Sequence, residues 1–334
     1  MNTMKWLLRR EFWEHKGSMF WAPLLVGAAM VLLVTASIVY TSSVGKFQNN
    51  VTRIHGEGNA AVTVVSSSTI GTAFEAISEQ KKQQTASMVA NGYLAAGAPL
   101  FLILAAVVFF YCLGALHDER RDRSILFWKS LPVSDTETVL SKVTTAVIVA
   151  PLITIAIATF VSLVLLLIVG TAFAFHGVNM FARVLGNPAL YLAPFQLLGL
   201  LPVYLLWALP TIGWLLLVSS WARSKVFLWA VGAPVIAVVI VKWMNYMLGL
   251  GLDSSWFVSN VIARGLLGLI PGAWLGLAEV DKTLVLGDQQ TVAIGSLFTQ
   301  SWLTLSDPGV WIGAVAGGVM IYAAIRMRRW RDEG

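Results

Sequence analysis

Six times along its length the chain runs for about twenty residues almost free of charge, and no other feature limits its fold so sharply. These runs lie near 18–40, 94–116, 143–170, 195–220, 226–250 and 309–325. A helix rising about 1.5 Å per residue needs roughly 20 residues to cross some 30 Å of hydrocarbon. Hydrocarbon offers no partner to a backbone N–H or C=O, so such runs must become helices or the strands of a closed barrel. Strand-length alternation of apolar and polar residues is absent, and the expected fold is all-α, a polytopic membrane protein with six transmembrane helices. Composition agrees, since 57% apolar residues, 12% charged residues and a mean hydropathy of +0.75 leave too little polar surface to cover a soluble globule.

The net charge of +6 becomes informative once it is distributed over the loops. With a cytoplasmic N-terminus, the cytoplasmic segments hold 15 of the 23 Lys and Arg residues, the external segments hold 7, and Lys242 falls inside a span. This is the asymmetry of the positive-inside rule, so the basic character reports topology and not nucleic-acid binding. The 17 residues before the first run carry Lys5, Arg9, Arg10 and Lys16 and show no cleavage site, which makes the first span a retained anchor. A single cysteine, Cys112, excludes an intrachain disulfide and a cysteine metal cage.

In chain order, residues 1–17 place Met4, Leu7, Leu8 and Phe12 on one helical face and Trp6 and Trp13 on the other, as expected of an interfacial helix. Glu11 and His15 interrupt the apolar face. Residues 41–93 form an external segment, with a helix expected from Thr69 to Ala90 leading into the second span. Pro151, Pro202, Pro210 and Pro234 fall inside spans three to five and read either as hinges or as ordinary curvature. Lys242, followed by Trp243 and Tyr246, reads as a lysine snorkelling to the outer interface, and no Asp or Glu lies within the six runs. Residues 251–308 return outside; within them an apolar stretch over 261–280 is broken at Pro271-Gly272, so neither half can cross, and two short helices dipping into the outer leaflet are expected. In the last span Gly309, Gly313 and Gly317 stand four apart, a spacing that permits close helix packing.

One polar stretch, residues 117–142, separates the second and third runs. It opens with six charges from Asp118 to Arg123, places Ile125 to Trp128 beside Lys129, and turns at Leu131-Pro132 into Ser134, which forms a capping box with Glu137. Helix, sharp turn, helix is the expected order. No P-loop occurs, because the only Gly-Lys pair, Gly45-Lys46, is followed by Phe47. No metalloprotease or serine-hydrolase motif occurs either.

Glu119-Arg120 closing the second span, a short helix, Leu131-Pro132-Val133-Ser134, and Lys142 opening the third span together resemble permease subunits of ATP-binding-cassette exporters of the ABC-2 type. The six spans, the N-terminal interfacial helix and the broken segment between spans five and six are similar to that family too. Asp122-Arg123-Ser124 departs from the Gly-Thr-like pair of many members, so the resemblance does not fix the register of the coupling helix. It implies one permease domain over residues 1–334 in the bacterial cytoplasmic (inner) membrane, paired with a second permease copy or paralogue and surrounded by membrane lipids. It further implies that Glu119, Arg120, Arg121, Arg123, Phe127, Trp128, Leu131 and Pro132 couple to a separate P-loop ATPase present in two copies. That partner would bind ATP and Mg; no cofactor is expected in this chain, which is a transport subunit and not itself an enzyme. The uncharged spans point to an amphipathic, lipid-, peptide- or drug-like cargo. A secondary carrier and a non-transporting scaffold or sensor are the alternative readings, the first weakened by the missing intramembrane carboxylates.

The topology makes the first prediction. A cysteine placed at position 121 should react with an impermeant thiol reagent only after the membrane is opened, and labelling from outside intact cells would overturn the assignment.

Overall fold

The computed structural model describes residues 3–43, 74–122, 133–249, 253–277 and 294–330. Among these residues every regular element is helical, and six helices are long and apolar enough to cross a membrane. The first three exceed what hydrocarbon requires: Thr3–Ser43, Glu79–Arg121 and Asp135–Phe175 run 41, 43 and 41 residues, about 60 Å each. The surplus builds both ends of the bundle.

In the first, α1 (Thr3–Lys16) bends at His15, whose φ of −109° and ψ of 15° leave the helical region, and a π-turn, Gly17–Trp21, hands over to α2 (Ala22–Ser43). The second joins α3 (Glu79–Gly92), a 3-10 turn, α4 (Ala98–Gly114) and α5 (His117–Arg121). The third joins α6 (Asp135–Thr144), a π-turn, Thr145–Val149, and α7 (Ala150–Phe175). After α8 (Phe181–Leu185), α9 (Pro188–Gly199) and α10 (Leu201–Trp221) reset their axis at Leu200 to make the fourth crossing, which therefore begins earlier than 195. The fifth is α11 (Val226–Leu248). Short elements follow: α12 (Ser254–Phe257), a π-helical Val258–Ala263, α13 (Arg264–Leu267), α14 (Ala273–Leu277) and α15 (Ile294–Leu303). The chain closes with α16 (Pro308–Trp330).

The prolines divide by position. Pro151 and Pro202 sit at irregularities within continuous helical runs, Pro151 just after the π-turn Thr145–Val149 and Pro202 just after Leu200, while Pro210 and Pro234 lie inside α10 and α11. The face of α1 that the sequence groups together does turn inward: Leu7 is buried, Met4, Leu8 and Phe12 are half-buried, and Trp6 and Trp13 are exposed.

The centre of the bundle is α10. In the fourth crossing 61% of the apolar window is buried, against 11% in the first and fifth and 17% in the sixth. Trp207, Ile212, Leu215 and Leu216 are its buried side chains, whereas Leu33 on α2, Ile236 on α11 and Ile312 on α16 stand exposed, as suits faces that meet lipid or another subunit. The backbones of α10 and α16 touch: a Cβ at Gly317 would lie 2.5 Å from the Leu209 carbonyl, and one at Gly213 would lie 2.5 Å from the Gly317 oxygen. Of the three glycines spaced four apart, Gly317 makes this close approach; Gly309 and Gly313 lie instead against Asp307 and the Arg264 side chain.

At one end, α3 packs on α8 and α9 through Ala86, Ala90, Tyr93 and Leu190, and Tyr93 Oη donates to the Leu190 carbonyl at 3.0 Å. Of the helix expected over 69–90, the part from Glu79 is α3, which runs on to Gly92; Ser78 is not helical, and 69–73 lie outside the described residues. The broken apolar segment does not sit beyond the bundle. Thr211 Oγ1, in the middle of α10, donates to the Arg264 carbonyl at 3.2 Å, and Gly268 rests against the Trp207 carbonyl. Its break is a turn in which Ala273 N donates to Ile270 O at 3.0 Å and Gly272 takes φ +89°, a conformation that glycine adopts without strain.

Residues 44–73 and 123–132, the latter with Arg123, Phe127, Trp128, Leu131 and Pro132, lie outside the described residues, as do 278–293.

The close crossing makes a packing prediction. Gly317→Ala should lower stability by about 1–3 kcal/mol through overpacking against backbone. Gly318→Ala, whose Cβ meets nothing within 4 Å, should stay within about 0.5 kcal/mol of the parent. Thermal unfolding of the two purified variants in one detergent compares them directly.

Candidate functional site

The base of the 117–142 stretch is built where α4 ends. Leu116 N and His117 N both donate to Ser219 Oγ, at 3.1 and 3.0 Å, which pins the start of α5 to the last turn of α10. Arg120 Nη2 donates to the carbonyls of Ser219 and Ala222 at 2.6 and 3.0 Å, a guanidinium satisfying helix-end carbonyls that have no partner of their own. With Arg120 turned to α10, its neighbour Glu119 faces the interior.

On the facing helix, Ser134 Oγ accepts from Glu137 N at 3.1 Å while Glu137 Oε2 accepts from Ser134 N at 3.2 Å, so the expected capping box forms. It fixes the entry of α6, and Asp135 and Lys142, seven residues apart and so two turns apart on one face, both point inward. From α1, Glu11 follows buried Leu7 by one turn. From the last turns of α16 comes Arg328.

These side chains form one network. Lys142 Nζ lies 3.0 Å from Glu11 Oε1 and 3.0 Å from Glu119 Oε1. Arg328 Nη1 reaches Glu119 Oε2 at 2.7 Å, and Arg328 Nε reaches Asp135 Oδ1 at 3.0 Å. Tyr111 Oη donates to Glu11 Oε2 at 2.8 Å, and Arg10 stands 3.9 Å from Glu119. Three carboxylates face three cations, and Glu11, Glu119, Lys142 and Arg328 are all buried. Such a set is stable only when complete, since an ion left alone away from water has lost its hydration and gained nothing.

The residues expected to couple to a partner are therefore placed as follows. Glu119 is buried and paired inside the chain, Arg120 is half-buried on the end of α10, and Arg121 is 70% exposed beside Asp122 at 3.4 Å. Sequence reasoning passed over Glu11, Asp135 and Arg328 as partners. The available signal was their position: each is a charge close to a span end, and all those ends lie on the side that carries both termini.

No protein-family model, no curated protein and no solved structure matches this chain. The class that the fold defines is a multi-pass membrane protein.

Lys142→Met should leave Glu11 and Glu119 without their shared cation and lower stability by about 3–5 kcal/mol. Lys242→Met, at an exposed position of α11, should stay within about 0.5 kcal/mol of the parent. The thermal midpoints and the yield of monodisperse protein measure the difference.

Proposed function

We propose that this chain is the membrane-spanning permease subunit of an ATP-driven exporter of the ABC-2 type, in the bacterial cytoplasmic membrane with both termini inside. It pairs with a second permease and draws energy from two copies of a separate P-loop ATPase, which bind the ATP and Mg. The cargo is amphipathic, in keeping with spans whose interiors are apolar.

The observation that carries this reading is the rooting of the 117–142 stretch. Glu119 and Arg120 tie its first turn to α6, α16 and α10 by charge-assisted contacts of 2.6–3.0 Å, and Lys142 carries the network on to Glu11 of α1 at 3.0 Å. A segment that transmits force needs a stiff base and a free gripping surface. Arg121, exposed one residue beyond the base, begins such a surface. The ion-coupled alternative gains no support from the buried carboxylates, because Glu11, Glu119 and Asp135 each meet a Lys or Arg at 3.0 Å or closer and are not left open to relay a proton.

The test separates gripping surface from base. Trp128→Ala and Arg121→Glu should insert and fold normally yet weaken copurification of the ATPase, with anchor truncation costing about 2 kcal/mol, roughly thirtyfold in affinity. Cargo-stimulated hydrolysis should fall with it. Arg120 is unsuitable for charge reversal because it holds the end of α10. Trp243→Ala, exposed on α11, is the control. If both variants bind and hydrolyse as the parent does, the reading fails.

A further inference from the structure

We propose that Arg264 binds the acidic headgroup of a membrane amphiphile whose acyl chain occupies the cavity between α10, α11, α16 and the segment carrying α12 and α13. The cavity holds about 730 Å³, and its walls are apolar along most of their extent, with Pro210, Trp214, Ala237 and Ile312 among them. Its lining includes the polar side chains of Asn260, Arg264 and Asp307.

Arg264 is only 6% exposed. Its guanidinium lies 4.4 Å from the centroid of the Trp207 ring, and a Cβ at Gly313 would fall 2.7, 2.8 and 2.9 Å from its Nη2, Cζ and Nε. The group is therefore held between an indole and a bare stretch of helix, and any larger residue at 313 would displace it. Yet Nε and Nη2 are buried without a hydrogen-bond partner among the described residues. Asp307 acts on the guanidinium through space, but its Oδ1 accepts from Gly309 N at 2.8 Å and no ion pair joins the two side chains. The indole offsets part of the desolvation and supplies no hydrogen-bond acceptor. Nε and Nη2 pack under Gly313, and an anion on the part of the guanidinium that lines the cavity offsets the charge and supplies an acceptor there, as a phosphate or carboxylate does.

The other half of the site argues for a lipid-like molecule over a free anion. The cavity runs beside α11 and α16, whose neighbouring Ile236, Ile312 and Val315 are exposed apolar groups of the kind that face acyl chains. A headgroup on Arg264 with its chain along Pro210 and Ala237 satisfies both surfaces at once. The proposal requires only this chain, so its outcome is independent of the coupling test.

The experiment is native mass spectrometry of the full-length protein released from detergent containing phosphatidylglycerol and phosphatidylcholine with identical chains. The parent should retain phosphatidylglycerol about tenfold over phosphatidylcholine. R264Q should bring the ratio near one, Arg264→Lys should keep part of the preference, and Ala237→Trp should reduce retention of both lipids by filling the apolar wall. Gly313→Ala, which changes no charge but crowds the guanidinium, should also lower the ratio and serves if R264Q does not fold. Equal retention by the parent, or an undiminished ratio in R264Q or Gly313→Ala, overturns the site. Thermal protection by inorganic phosphate equal to that by phosphatidylglycerol overturns the amphiphile in favour of a free anion.

Discussion

The ammonium of Lys142 sits 3.0 Å from both Glu11 and Glu119, and one whole end of the molecule depends on that arrangement. None of these three groups retains appreciable contact with water, so each is tolerable only because the others are present. Arg328 extends the same logic to the last crossing by bridging Glu119 and Asp135. Helices α1, α5 with α6, and α16 come from three widely separated parts of the sequence, yet displacing any one strands a charge belonging to another. That end consequently behaves as one piece. On the exporter reading, a force applied to the 117–142 stretch reaches the N-terminal helix and the final crossing without passing through the apolar middle.

The middle is held by different means. Between apolar helices in hydrocarbon there is little to gain from burying one more methyl group, and closeness of approach matters more. The structure meets this condition at Gly213 and Gly317, where two backbones touch, and around α10, which every other crossing uses as a wall or is separated from by one neighbour. The buried indoles of Trp207 and Trp274 and the half-buried one of Trp214 keep their N–H groups satisfied: Trp207 donates to Thr304 Oγ1 at 3.3 Å, Trp214 to the Ala230 carbonyl at 2.9 Å and Trp274 to Ser301 Oγ at 2.8 Å. Polar contacts are thus few at this depth, and each ties a short connecting element or a neighbouring crossing to α10 or to α14.

The sequence makes local regularities legible and leaves distant pairings hidden. Crossing number, the capping box at Ser134, the inward face of α1 and the break at Pro271-Gly272 each depend on residues within one or two helical turns, and each is found where the local pattern puts it. Glu11 reads locally as a flaw in an apolar face. Its reason lies 131 residues away at Lys142, and no periodicity reports that distance. The glycine series shows the same limit: its spacing announces a close approach but not what approaches, which is a helix backbone at Gly317 and a guanidinium at Gly313. Glu119 and Arg120 carry the resemblance to a permease, yet their side chains serve the interior, leaving Arg121 as the first of the expected coupling residues to face outward.

Buried cations are treated in two ways in this chain, and the difference is informative. Lys142 and Arg328 are each placed between two carboxylates, so nothing more is needed to balance them. Arg264 is also buried, beside a cavity, with an aromatic ring and a glycine shaped around it and, among the described residues, no carboxylate in ion-pair contact. Among the described residues the acid that acts on Arg264, Asp307, is committed to the first turn of α16. On the proposal above, the headgroup of a bound amphiphile supplies the counter-ion that the described residues do not. A counter-ion that arrives from the surrounding membrane makes occupancy of the cavity responsive to lipid composition, whereas the Lys142 network at the opposite end, closed on itself, is not.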